Sequence, residues 1–100
     1  MVDRLYLQAK FEEILDSPNV YFQPPTSLLM AYPAIVYTRK NISVKYANNS
    51  GYILRPGYEV TLIDENPDSE YIEKILQLPY CRFERHFTSD YLNHEVFSIY

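Results

Sequence analysis

The chain has 100 residues, 47% of them hydrophobic and 22% charged, with a net charge of −4 at pH 7. That is one domain's worth of sequence, able to hide roughly 60–68% of its unfolded surface, and it excludes a disordered chain. The acidic balance speaks against a nucleic-acid binder, which normally presents a basic surface. The lone cysteine excludes an internal disulfide framework and favours an intracellular setting.

Residues 3–16 predict a helix. Leu7, Phe11, Ile14 and Leu15 fall at helical spacing on one face, Asp3 can cap the start, and Pro18 in "DSPN" ends it. Charges interrupt every apolar run of "MVDRLYLQAKFEEILD", so neither a signal-peptide core nor a membrane span is expected there. "VYFQ" predicts a short strand and "PPTS" a rigid loop. "AIVYT" (34–38) is a continuous apolar run, as in a strand covered on both faces. Ile42, Val44 and Tyr46 then alternate with Asn41, Ser43 and Lys45. "ANNSG" (47–51) is dense in turn formers. The chain returns through "YILRPG" and "YEVTLID", where Tyr58, Val60 and Leu62 alternate with Glu59 and Thr61.

"NPDSEYIEKILQLP" predicts a second helix. Asn66 would cap it, Pro67 would take its first position and Asp68 and Glu70 would sit at the positive end of the dipole. Tyr71, Ile72, Ile75 and Leu76 would form the buried stripe, and Pro79 would stop it. Two strands close the chain, 80–87 and 94–100, around the loop "TSDYLNH". The order α-β-β-β-α-β-β predicts a single α+β domain over 1–100, a mostly antiparallel sheet packed with two helices. Eleven tyrosines suit strands first and an interface second.

The last twenty residues hold Cys81, His86, Asp90 and His94, which raises a hydrolase or a metal site. In one strand Cys81 and His86 would lie about 16 Å apart on opposite faces. Cys81 shares parity with Phe83 and Phe87, so the spacing predicts a core thiol, with its pKa raised and its reactivity low. His86 and His94 could face each other across the last hairpin, but tight cysteine pairs at zinc spacing are missing. Asp90 and Asn93 read as turn formers. No G-x-S-x-G, P-loop or H-E-x-x-H occurs. The residues therefore predict no catalytic site, no cofactor and no metal.

The hairpin arm, 41–57, carries the strongest partner signal. Pairing about the Asn48–Gly51 turn sets residues opposite whose numbers sum to about 99, landing Pro56-Gly57 opposite Ile42. Beyond that break a ribbon should project, carrying Ile42, Val44, Tyr46, Tyr52, Ile53 and Leu54. Such a ribbon is marginal alone and its apolar surface marks an interface, unless it folds back over its own domain. A second candidate surface lies near 23–33, where Pro24, Pro25, Leu28, Leu29, Met30 and Tyr32 cluster.

Four stretches, "NVYFQPP", "YPAIVY", "YEVTLIDENPDSEYIEKILQLPYCRFERHF" and "DYLNHEVFSIY", resemble small proteins of tailed-phage and prophage head-to-tail modules. The likeness runs nearly end to end and in the same order, with Asp-x-Asn-Pro-Asp-Ser and Leu-Asn-His its most distinctive parts. Such proteins are described as tail terminator, tail completion or neck proteins. The resemblance implies an α+β subunit of a hexameric ring capping the tail tube beneath the head, assembled in the host cytoplasm. Its partners would be other copies of itself, the tail tube protein and head-closure proteins. Genome DNA would pass through the lumen without specific binding, and no membrane would be involved. The family brings no catalytic residue. A head-closure or adaptor protein of the same neck is the nearest alternative; a small hydrolase or metalloprotein using Cys81, His86, Asp90 and His94 is the alternative of another class. A ring needs unlike surfaces that meet between neighbours, and the ribbon and the 23–33 edge are the two that the sequence offers.

Overall fold

Asp3 opens the first helix, its side chain accepting the Leu5 N–H at 2.9 Å. Helix α1 (Arg4–Leu15) buries Leu7, Phe11 and Leu15. Asp16 then turns left-handed (φ 51°). The N–H groups of Asp16 and Ser17 donate to the Glu13 and Glu12 carbonyls, the paired bonds that satisfy a helix C-terminus. The computed structural model describes residues 3–25, 29–45 and 52–100, with the backbone alone at 42–45 and 52–55.

Strand β1 (Val20–Phe22) runs parallel to β2 (Ala34–Lys45). β2 pairs antiparallel with β3 (Tyr52–Asp64), β3 with β5 (Leu92–Ile99), and β5 with β4 (Cys81–Ser89). The sheet order is β1-β2-β3-β5-β4, and α2 (Tyr71–Leu76) connects β3 to β4. This is the α+β architecture that the sequence predicts, mostly antiparallel with two helices.

Both helices cover one face of the sheet. The strand period of two puts Ile35, Tyr37, Tyr58, Val60, Leu62, Phe97 and Ile99 on that face, where they form one cluster with Leu7, Phe11, Leu15 and Ile75. Tyr37 is its centre. Its ring lies 5.3 Å from Phe11, 4.9 Å from Phe22 and 6.0 Å from Tyr58, in edge or tilted contacts that suit the ring quadrupoles. Its hydroxyl donates to Gln8 Oε1 at 2.6 Å, and the Gln8 amide donates to the Val20 carbonyl. One side chain thus ties α1 to β1 and β2. Burial pushes the Tyr37 pKa up, against the pull of nearby Arg4.

Four local expectations are corrected. The second helix is six residues long, not the twelve from Pro67 to Leu78. Residues 66–70 are turns instead: the Asn66 side chain accepts the Asp68 N–H, and Ser69 Oγ accepts that of Tyr71. Each such bond offers the backbone a partner that competes with helix. Leu76 is exposed, and Leu78 joins the core in its place. The β2–β3 register pairs Asn41 with Pro56 and Lys40 with Gly57, two residues from the predicted alignment. An even shift leaves every residue on its predicted face. The predicted break is also absent: the ladder continues to Lys45↔Tyr52. Finally, the last loop is only Asp90-Tyr91. Both residues have positive φ, 52° and 63°, as a two-residue hairpin turn of the twist-matching type requires.

Candidate functional site

The lateral neighbours of the β2–β3 ladder stop early. β1 reaches β2 only at Ile35–Tyr37. β5 follows β3 from Asp64 to Tyr58 and ends there. Six further pairs, Lys40↔Gly57 to Lys45↔Tyr52, extend past both. At ~3.4 Å per residue this arm is about 20 Å long, consistent with molecular extents of 43 × 26 × 26 Å. Pro56 falls where β3 has lost its β5 neighbour, a sheet-edge position that tolerates its missing donor.

Register divides the predicted interface residues between two faces of the arm. Ile42, Val44 and Ile53 lie at positions of the open face, with Lys40 and Glu59; Tyr52 and Leu54 lie at positions of the helix-covered side, with Tyr58. Tyr46 and the 47–51 turn lie outside the described residues, as does Leu28. In the second predicted surface Leu29 is 93% exposed and Tyr32 40%, while Met30 is half-buried. Tyr32 immediately precedes Pro33 and β2, so it sits at the opposite end of the sheet from the arm. The second surface is therefore split: Gln23, which leads into Pro24 and Pro25, is bonded to Tyr37 and Arg39 near the arm's root, whereas Tyr32 and Pro33 adjoin the opposite end of β2.

A polar cluster brackets the arm's root. On the open face Glu59 accepts from Lys40 and lies 3.7 Å from Arg85, and Arg82 donates to Glu84 at 2.7 Å. Together with Asn41 and Ser98 these side chains line a shallow cavity. Partial burial would raise the Glu84 pKa, but Arg82, the Ser98 hydroxyl and Lys40 outweigh it and hold the carboxyl below its usual range. Exposed pairs of this kind contribute about 0–1 kcal/mol each, so they orient the root more than they stabilise it. Sequence reasoning missed the cluster because it joins strands distant in the chain. The signal that was available is charge by segment. Residues 39–57 hold Arg39, Lys40, Lys45 and Arg55 and no acid, so the arm together with Arg39 at its root carries +4 and leaves −8 on the remainder of a −4 chain.

The Cys-His constellation is dispersed. A bulge at Glu84 shifts the β4–β5 register between Phe83 and Arg85. Cys81↔Ile99 and Phe83↔Phe97 face the helices; after the bulge His86↔Glu95 does so, and Phe87↔His94 turns to the open face. This corrects two expectations: Phe87 leaves the face of Cys81, and His86 joins it. Their partners Ile99 and Glu95 are four residues apart, about 13 Å along the strand, still too far for a thiolate–imidazole pair. The two histidines do not face each other. His94 stacks on Phe87 at 4.6 Å between centroids, while His86 Nε2 lies 3.5 Å from Glu95 Oε1.

Burial pushes the Cys81 thiol up to about 11, the opposite of what a nucleophile needs. Asp90 sits in the hairpin turn. Asn93 is not a turn former: its amide donates to the Asp64 and Glu65 carbonyls and closes the end of β3. Among the described residues no group of three or more His, Cys, Asp or Glu is placed to hold a metal ion, and no helix is long and apolar enough to cross a membrane.

Comparison with protein-family models, with curated proteins and with solved structures returned no match.

Proposed function

We propose that this chain is a non-enzymatic structural subunit of a tailed-phage virion, a tail-terminator-type protein. Six copies form a ring at the head–tail joint that caps the tail tube and joins it to the head. The observation that carries the reading is the arm, six strand pairs that extend beyond every lateral neighbour in the described fold. An isolated two-stranded ribbon is marginal in water, so the arm's residues gain most from a partner. The high thiol pKa of Cys81 and the separation of His86 from His94 support an assembly role over a hydrolytic one. The station in the neck comes from the sequence stretches that resemble terminator and completion proteins.

A reconstruction of the assembled particle tests the reading through the symmetry of this chain. Sixfold placement at the top of the tail tube is the expected result. Twofold pairing would overturn it. Twelvefold placement near the portal would overturn it in favour of the adaptor alternative.

A further inference from the structure

We infer that copies of this chain join end to end, the basic arm of one seating on the acidic, apolar-edged opposite end of the next. The inference deepens the ring reading and rests on it for the identity of the partner. The arm, 39–57, has four cations and no acid. At the far end of the same strands lies its complement. There Asp64, Asp68 and Glu70, with Pro33, Asn66, Ser69 and Tyr71, line a cavity of about 400 Å³ without a single Lys or Arg. Tyr32, just ahead of Pro33, is exposed beside that end.

Each surface therefore pairs charge with apolar residues. The arm offers Ile42, Val44 and Ile53 at register positions shared with Lys40; the far end offers Tyr32 and Tyr71 beside carboxylates. A nucleic acid would satisfy the arm's cations, since phosphate binding draws on Lys and Arg, but it gives no use to the arm's aliphatic residues or to the far end. A second copy satisfies both. Because the two surfaces differ and lie at opposite ends, the contact is heterologous, and it closes a ring where the rotation between copies allows. Charge across such a contact steers encounter, fixes register and disfavours wrong pairings.

The test uses the full chain in sedimentation at low and high salt. Wild type should associate at low salt and dissociate as salt screens the exposed charges. An arm variant, Arg39→Glu/Lys45→Glu, and an end variant, Asp68→Lys/Glu70→Lys, should each lose association by at least roughly tenfold. Mixing the two should restore one contact per pair, because the unchanged basic arm of the end variant can seat on the unchanged acidic end of the arm variant. Circular dichroism checks that both remain folded, and an unfolded variant is replaced by the neutral Arg39→Gln/Lys45→Gln or Asp68→Asn/Glu70→Asn, which should show a weaker loss in the same direction. A wild-type chain that stays monomeric at low salt overturns the inference, as does a mixture that fails to recover. Salt-sensitive binding of a DNA duplex by the arm without self-association would assign the arm to nucleic acid instead. A sixfold ring in the particle whose arms avoid the acidic ends would sink this contact and leave the ring standing, whereas recovery in the mixture without sixfold placement would keep the contact and sink the ring.

Discussion

Between Ala34 and Arg39 the β2–β3 ladder has β5 beside it, β1 along Ile35–Tyr37 and two helices over one face; between Lys40 and Lys45, among the described residues, the same two strands pair only with each other. The backbone pairing is continuous across the boundary, so hydrogen bonding does not distinguish the halves. What changes is burial. Ile35 and Tyr37 in the near half are fully buried, and so are their neighbours Val60 and Leu62. Each such side chain contributes roughly 1.5–3 kcal/mol relative to exposure. The far half has no described element against which to gain that. One ladder thus joins a segment that stabilises the subunit to one held out from it. That division is what an assembly arm requires: the core can fold first and the arm can order on its partner.

The largest effect should come from removing the near half's centre. Tyr37→Ala deletes three ring contacts and the bond to Gln8, and should cost about 3–5 kcal/mol in urea unfolding. The milder Tyr37→Phe should cost about 1 kcal/mol. Changing Leu54 and Tyr46 to Ser should move the unfolding midpoint by no more than ~0.5 kcal/mol while weakening association. If the arm variant is as unstable as Tyr37→Ala, the arm packs on its own domain and the comparison collapses.

Hydrogen exchange sharpens the same boundary without mutation. In the free subunit the amides of 35–37 and 60–62 should exchange only with global unfolding, and those of 41–45 and 52–55 through local opening at far lower cost. Equal protection on both sides of Lys40 would contradict the proposed division. Assembly should then slow exchange in the arm, a change that the near half should not show.

Much of this division was legible before any coordinates. The helical spacing of Leu7, Phe11 and Leu15 and the alternation of Tyr58, Val60 and Leu62 each encode a local period, and each lies on the buried face as predicted; the apolar run at 34–38, read as covered on both faces, is covered by helices on one, with Val36 half-buried and Thr38 exposed. Two of the misreadings have a cause in side chain–backbone competition and in a one-residue irregularity. Ser69 and Asn66 divert the backbone from helix before Tyr71. The bulge at Glu84 inverts the facing of everything after it, a change that parity counting cannot see. The site was harder to read than the core because its charge lay in one segment. Averaging nine cations against thirteen acids hid a +4 arm inside a −4 chain.

Cys81 tests whether the core's edge is inert. Its thiol packs against the cluster, and Cys81→Ala should cost on the order of 1–3 kcal/mol with particle assembly intact. With a pKa of about 11 in place of 9.0, its thiolate population near neutral pH is about a hundredfold below that of an ordinary thiol. Alkylation of the folded protein should be slowed accordingly and should recover on unfolding. Rapid labelling of the native chain, or loss of infectivity by a folded Cys81→Ala variant, would revive a chemical role for the thiol.

The smallest effect contrasts two carboxylates on opposite faces of the sheet. Glu84, on the open face, is held below its usual range by Arg82, Ser98 and Lys40 against the opposing effect of burial. Glu95, on the helix-covered face opposite Leu62, is pushed up by burial, with His86 only partly offsetting it. The signs of the two linkages are opposite. Glu84 binds its proton less tightly when folded, so its contribution is present above the ordinary glutamate range and is lost as the pH falls through and below it. Glu95 binds its proton more tightly when folded. It therefore imposes no penalty at pH values where it is protonated in both states. The penalty appears as the pH rises from the ordinary glutamate range through the raised folded value, and is complete above it. Glu95→Gln should consequently be more stable than wild type at neutral pH, and the advantage should vanish on acidification. Glu84→Gln should be less stable at neutral pH, with its deficit vanishing in the same direction. Urea midpoints at a series of pH values give both differences from one set of measurements. A Glu95→Gln advantage that persists in acid would show that the gain comes from packing, and that burial of the charge is not what strains the covered face.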